Sequence, residues 1–383
     1  MLSQHAGGGR FAYNWGLAKR IELYEAEKKS TNAIEQHKLL NSLKSSEYPW
    51  MYEMSKCVFQ EALRDLDRSF SNFYRGLKSG QKIGFPSFKK KGLKDSFRLT
   101  GTIKIEEKIV QLPRLGKIQL KEESSVKGRI LSATVSRESD RWFVSILVEE
   151  EIPDPVPVVG SAVGVDVGIQ HFATYSDGTK ISSPKALEKN LKGLRRLSKQ
   201  HGRKQLGSKN RKKSCIKLSR KYRKIRNIRK DFLHKESTRL AKTKSVIVVE
   251  DLHIKGMIKN RKLSRKISDA SWGEFFRMLE YKTKWYGSQF IKAPRYYPSS
   301  KTCSGCGNYV KELPLQVREW QCMNCNQMHD RDVNAAKNLL KLSTWSSQGI
   351  YACGDTSCGA GQNPASYVSL NQELISGTFV HKL

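Results

Sequence analysis

Residues 299–340 read SSKTCSGCGNYVKELPLQVREWQCMNCNQMHDRDVNAAKNLL, and two chemistries stand in them at legible spacing. Cys303 and Cys306 form one C-x-x-C and Cys322 and Cys325 a second, with 15 residues between the pairs. Each C-x-x-C turns two sulfurs towards one point. A spacer of that length allows a hairpin that returns the second pair to the first, closing a tetrahedral four-thiolate zinc ribbon with Zn–S near ~2.3 Å. Such a site has no open position, so its metal is structural. Two disulfides are the alternative for the same residues. Eight cysteines in a chain that opens with no charged-then-apolar signal peptide suit a reducing cytosol, which favours metal. Cys57 and Cys215 read as packing residues, and Cys353 and Cys358 are too isolated to form a site.

Directly after the second pair comes His329-Asp330-Arg331-Asp332-Val333-Asn334-Ala335-Ala336, entering a helical pattern of Val333, Ala336, Leu339 and Leu340. Either aspartate could simply cap that helix, because Asp is a favoured N-cap and its charge suits the N-terminal dipole. Two further acids upstream argue for more. Val163-Gly164-Val165-Asp166-Val167-Gly168-Ile169 is a β-branched run holding one carboxylate between glycines, and Val246-Ile247-Val248-Val249-Glu250-Asp251-Leu252 is an apolar strand that ends in acid. A lone carboxylate in a buried strand is costly unless it holds a cation or pairs with a base. The flanking glycines would let a ligand approach the backbone, and strand-end acids in an α/β sheet are where sites are built. Asp166 on a first strand, Glu250 at the end of a later one and Asp332 at a helix start follow an RNase H-like order. Acids so arranged can bridge two Mg²⁺ or Mn²⁺ ions for phosphodiester cleavage.

Charge names the partner class. Over 383 residues, 70 Lys and Arg face 36 Asp and Glu, a formal net charge of +34 that calls for a polyanion. A membrane surface is the weaker candidate, since no run approaches the roughly 18 apolar residues of a spanning helix. Residues 185–242 hold 23 Lys and Arg against three acids. Leu191, Leu194, Leu197, Ile216, Tyr222, Ile225, Ile228 and Phe232 give that stretch helical periodicity, so a basic helical hairpin inserted between the two acidic strands is expected. Arg211, Lys212, Lys213, Arg220 and Lys221 are its candidate phosphate contacts. The basic segment Phe85-Pro86-Ser87-Phe88-Lys89-Lys90-Lys91 is another.

The remaining chain divides by texture. Residues 11–77 repeat apolar side chains at helical steps, with Pro49 at a corner. Trp50, Tyr52, Phe59, Phe70, Phe73 and Tyr74 read as core rather than base-stacking platforms. From Gly84 to Val148 short alternating runs predict strands, with a hairpin turn at Glu138-Ser139-Asp140-Arg141 and a stiff Ile152-Pro153-Asp154-Pro155-Val156-Pro157 linker closing the module. A helix at Trp272-Gly273-Glu274-Phe275-Phe276 and a strand at Phe290-Ile291-Lys292 follow Glu250. From Ser343 the Gly, Ser, Thr and Asn content predicts a disordered tail.

These motifs together resemble the TnpB family of transposon-encoded, OrfB-type proteins, relatives of compact type V CRISPR nucleases. Gly164-Val165-Asp166-Val167-Gly168 is similar to the family's first RuvC motif, Val248-Val249-Glu250-Asp251-Leu252 to its second, and Asp330-Arg331-Asp332-Val333-Asn334-Ala335-Ala336-Lys337-Asn338 to its third. Tyr297-Pro298-Ser299-Ser300-Lys301-Thr302-Cys303 resembles the lead into its zinc ribbon. The resemblance runs from Arg10-Phe11-Ala12-Tyr13-Asn14-Trp15 to the tail. It implies an α/β multidomain protein: a helical recognition lobe over residues 1–80, a wedge-like β-barrel over 81–157 and a RuvC domain over 158–300 with the basic insert 185–242. A zinc ribbon over 301–328, the third RuvC motif over 329–342 and the tail 343–383 complete it.

The implied activity is RNA-guided DNA cleavage beside a short adjacent motif, using Mg²⁺ or Mn²⁺ at Asp166, Glu250 and Asp332. Structural Zn²⁺ would sit on Cys303, Cys306, Cys322 and Cys325. A transposon-end guide RNA and target DNA are the implied partners, in a bacterial or archaeal cytoplasm close to the nucleoid. Asp332 is preferred to Asp330 because it directly precedes the family's x-Asn-Ala-Ala. One departure is expected to matter: the family's first wedge strand, some twenty residues ahead of Phe11-Ala12-Tyr13-Asn14-Trp15, has no counterpart here, which bears on adjacent-motif recognition. The alternatives are a transposase of RNase H-like fold acting directly on transposon ends and a nuclease-impaired guided DNA-binding protein. Monomer and dimer are both left open.

Overall fold

The computed structural model describes residues 1–344, apart from 125 and 315, together with the strand Thr378–Lys382. Cys353, Cys358 and residues 345–377 of the expected disordered tail lie outside the described residues. Two compact units divide the chain near Ile152 and Pro153, within the stiff linker predicted from its prolines.

The first unit opens with helices α1 (Leu2–Glu27), α2 (Ala33–Ser42) and α3 (Lys56–Lys78). Helix α1 starts nine residues before Phe11, running through Gly7-Gly8-Gly9 in spite of glycine's low helix propensity. Packing decides this, because a Cβ on Gly8 would stand 2.8 Å from the Met54 sulfur. Phe59 and Phe70 are core, as expected, whereas Tyr52 and Tyr74 are exposed.

Strands β1 (Ser96–Leu99), β2 (Lys104–Glu106), β3 (Ile109–Leu112), β4 (Gly116–Gln119), β5 (Arg129–Glu138) and β6 (Arg141–Glu149) follow. β5 and β6 pair through the predicted hairpin, with Glu138 opposite Arg141. The expected β-barrel is not closed among the described residues. The strands form an open antiparallel sheet, β1-β5-β6 with Thr378–Lys382 at its edge, and a separate β2-β3-β4 sheet. β1 is four residues long and stands at the edge of its sheet, and the chain turns at Gly101, φ 97, towards β2. The two sheets share one core that includes Phe97, Leu99, Val110, Leu112, Val135 and Ile146. The expectation of a wholly disordered tail fails at Thr378–Lys382, which pairs antiparallel with β6.

The second unit is built on β7 (Val163–Asp166), β8 (Ala173–Tyr175), β9 (Lys180–Ile181), the helices α4 (Ala186–Gly202) and α5 (Lys209–Thr243), and β10 (Val246–Val249). Helices α6 (Ile254–Met257), α7 (Ser264–Ala270) and α8 (Trp272–Tyr286) lead to β11 (Gln289–Lys292), the hairpin β12 (Glu319–Gln321) and β13 (Met328–Asp330), and helix α9 (Arg331–Lys341). The sheet order is β11-β10-β7-β8-β9. β7, β10 and β11 run parallel, and β8 and β9 add antiparallel pairs.

Strand side chains alternate between faces, and that alternation places the acids. Val163, Val165, Ile247 and Val249 join the large core with Leu233, Leu240, Trp272 and Phe275. Val248 points the other way, into a cluster with Ala293, Leu339 and Leu342 beneath α9. Gly164 lies on that second face too. A Cβ there would come 1.9 Å from the Ala336 carbonyl oxygen of α9, so only glycine lets the helix lie down on β7. Gly164 therefore makes room for a helix, not for a ligand as its sequence context suggested. Two residues on, along the same faces, stand Asp166 and Glu250.

Candidate active site and metal centre

Asp166 and Glu250 leave parallel neighbouring strands at their C-terminal ends, on the face that α9 covers, and Asp332 is the second residue of α9. Their electrostatics report their proximity. Burial pushes the Asp166 carboxyl well above the ordinary carboxylate range, and the charges of Glu250 and Asp332 push it further. Glu250 is also raised by burial, against which the Ser299 hydroxyl donates a hydrogen bond to its carboxylate. Arg318, on the strand side of the knuckle hairpin, pairs with Asp332 at 3.5 Å.

The neighbouring acid behaves differently. Asp330 is the N-cap of α9, accepting from the Asp332 and Val333 backbone N–H groups at 3.0 Å each, and it pairs with Lys180 at 2.6 Å. Burial would raise its carboxyl, but Lys180 and the two N–H groups outweigh burial and hold it below the ordinary value. Of the tandem aspartates one is therefore occupied as a cap, and the other adds its charge to Asp166.

The four cysteines meet as their spacing predicts. Their sulfurs all lie within 4.8 Å of one another, and among the described residues no carboxylate group gathers so tightly. Cys303 to Cys325 and Cys306 to Cys322 are each 3.6 Å, close to the ~3.8 Å edge of a tetrahedron with Zn–S of ~2.3 Å. The Asn324 side chain and the Asn308 backbone draw the Cys306 thiol down to about 6. Cys325, despite the Gln327 backbone N–H, is pushed up to about 12 by Cys306 and the other sulfurs. Four thiolates this close cannot all ionise without a cation, so the donor set fits zinc.

Several residues that tie the two centres together carry no signal on their own in the sequence. His329 Nε2 lies 3.0 Å from the Cys303 sulfur and its ring packs on Trp320. Asn334 and Asn338, one turn apart on α9 and both buried, reach back to the carbonyls of Ser299 and Thr302. The Ser304 N–H donates to Asn334 in return. The loop that orients Glu250 through Ser299 is thus clamped to the helix that carries Asp332. Two asparagines at i and i+4 on one face, next to an acid, were the available clue.

Residues 185–242 form the expected hairpin, α4 against α5, over a small core of Ala186, Leu194 and Ile225. Its five candidate contacts divide. Lys212, Lys213 and Arg220 are exposed. Arg211 instead donates to the His201 and Lys204 carbonyls at the end of α4, and Lys221 donates to Asn190 at 2.7 Å, so both help to hold the hairpin together. No helix among the described residues is long and apolar enough to cross a membrane.

Known families and proteins resemble this chain over most of its length. Residues 145–261 match a family described as "Probable transposase", residues 272–339 a "Cas12f1-like, TNB domain" and residues 1–29 a "Helix-turn-helix domain". A relative from Streptomyces pristinaespiralis named "Putative RNA-guided DNA endonuclease" is 37% identical, over 92% of this chain and 87% of its own. A relative from Escherichia coli (strain K12) with the same name and the suffix InsQ is 33% identical, over 92% and 90%. A solved chain from a Cas12f1–sgRNA–target DNA complex aligns at a TM-score of 0.36 and 16% identity, over 89% of this chain and 94% of that one.

Proposed function

The chain belongs to the TnpB family, and on that premise we propose that it is an RNA-guided, metal-dependent DNA endonuclease of a transposable element. The observation that carries the reading is the electrostatic convergence of Asp166, Glu250 and Asp332 from three distant segments. A carboxyl that burial and two neighbouring carboxylates hold towards its neutral form, as at Asp166, is poised for a cation, and oxygen donors select Mg²⁺ or Mn²⁺ over zinc. When bound there, two such ions supply a water of lowered pKa and positive charge for the departing 3′ oxygen of a phosphodiester. The protein's part is positional. The parallel strands hold Asp166 and Glu250, Ser299 orients Glu250, and the asparagine clamp keeps Asp332 on station. The cysteine knuckle would hold zinc as a folding element and present Arg318 to Asp332. A guide RNA paired with target DNA would lie along the basic hairpin, with cleavage beside a short adjacent motif, in the cytoplasm.

The test is expression with the native flanking DNA, sequencing of the RNA that copurifies, and a cleavage assay on DNA complementary to it. The expected result is a discrete RNA and Mg²⁺-dependent cutting that Asp166→Ala abolishes. Sequence-specific binding to transposon-end DNA with no copurified RNA would instead favour a transposase acting directly on the ends. A second arm reads the hairpin. Lys212→Gln, Lys213→Gln and Arg220→Gln together should flatten the salt dependence of binding by about 0.7–0.9 log unit per lost phosphate contact. Arg211→Gln and Lys221→Gln should chiefly lower the melting temperature.

A further inference from the structure

Beside Glu250 the second unit opens a cleft of about 230 Å³ whose walls include Leu252, His253, Met257, Pro294, Arg295 and Tyr296. Tyr296 is 90% exposed, the largest exposure of any aromatic side chain among the described residues. Its backbone is left-handed, at φ 65, a conformation that bulky L residues rarely adopt. Its neighbour Tyr297, which lines the same cleft, is half-buried and packs against the Val248, Ala293 and Leu339 cluster under α9. Of two consecutive tyrosines that line the cleft, one is thus anchored against the protein and the other stands out in solvent. Arg295 bounds the same opening through its ion pair with Asp251 at 2.7 Å.

We propose that Tyr296 is a stacking platform for an unpaired base of the DNA strand entering the carboxylate centre, setting how the scissile phosphate reaches Glu250. The inference rests on the endonuclease reading above and adds a positioning residue to it. A duplex keeps its bases stacked on one another, so an exposed ring at the cleft mouth has a partner only in a strand whose bases are free. Stacking of this kind tolerates any base, which suits an enzyme whose sequence choice comes from pairing with a guide.

The experiment uses the full chain with its copurified RNA, in the Asp166→Ala background, and a 20-nucleotide oligo(dT) carrying one 2-aminopurine. Tyr296→Leu should weaken binding about 5- to 150-fold, the range measured for removing one base–aromatic stack, and abolish the quenching of the 2-aminopurine. Tyr296→Phe keeps the ring and should restore both. The slope of log Kd against log salt should stay where it was, because stacking releases no counterions. Equal binding and equal quenching in the Leu and Tyr proteins would overturn the proposal. An altered salt slope would overturn it as well, by showing a charge effect in place of stacking. The endonuclease reading fails on a different readout: no Mg²⁺-dependent cleavage by the parent chain on DNA matched to its RNA. The two failures are therefore separable.

Discussion

The cysteine knuckle and the carboxylate centre, the two cation sites proposed for this chain, are assembled in opposite ways. The knuckle draws its four ligands from one hairpin between Cys303 and Cys325, with sulfurs already at tetrahedral separation. The carboxylate centre draws its three from β7, the end of β10 and the start of α9, and burial and mutual repulsion hold Asp166 towards its neutral form. A structural metal can be specified by local spacing because its binding energy is folding energy. The carboxylate centre is built by the finished sheet, and in the proposed reading a bound ion would relieve the repulsion at Asp166.

The sharpest way to break the contrast is to remove a knuckle ligand. Cys303→Ser or Cys322→Ser should lose about one zinc per chain and, with it, up to ~10 kcal/mol of local folding energy. Metal analysis would show the loss, and limited proteolysis would cut within residues 301–330. A zinc-free parent protein that resists protease in this region would end the zinc assignment.

Substitution at the carboxylates should act on chemistry instead. Asp166→Ala, Glu250→Ala and Asp332→Ala should each lower cleavage by about 10³-fold or more, the several kcal/mol a bound metal supplies, with folding and RNA binding intact. Asp330→Ala should mainly cost ~1 kcal/mol as a lost helix cap, seen as a lower melting temperature. A reversal, with Asp332→Ala active and Asp330→Ala dead, would exchange their roles.

Gly164→Ala tests the sheet's part in the centre. The added methyl meets α9 backbone, so it should destabilise the unit by ~1–3 kcal/mol and reduce cleavage as Asp332 moves. Unchanged activity and stability would show that α9 does not set the geometry.

The smallest effect is on pH. A carboxyl whose folded pKa is raised gives stability that is complete below its unfolded pKa and lost as pH rises through the folded one. Without divalent ions the parent should therefore lose stability on going from the ordinary carboxylate range towards neutrality, and Asp166→Asn should remove part of that loss. Added Mg²⁺ should restore the melting temperature of the parent but not of Asp166→Asn.

Much of the centre was legible because its residues break local rules. A single acid in the Val163-Gly164-Val165-Asp166-Val167 run and an acid ending Val246-Ile247-Val248-Val249-Glu250 are costly unless used, and paired C-x-x-C motifs have few other meanings. The clamp was not legible. Asn334, Asn338 and Ser299 are ordinary polar residues until the fold buries them against loop carbonyls. The same holds for Arg211 and Lys221, whose charges looked like the rest of the run but turn inward to close the hairpin. The expected barrel opened into two sheets because alternation predicts strands and not which edges will meet.

The sequence by itself determined the four-cysteine cluster of the knuckle, the two acidic strands, the basic hairpin and the boundary near the proline-rich linker, since each depends on spacing or composition within a short window. Only the tertiary structure gives Asp330 and Asp332 different surroundings. Both begin the same helix with the same chemistry, and what separates them lies far away in the chain: Lys180 beside Asp330, and Asp166 beside Asp332. Gly164 was settled in the same way, because whether a missing side chain admits a ligand or a helix depends on what packs above it.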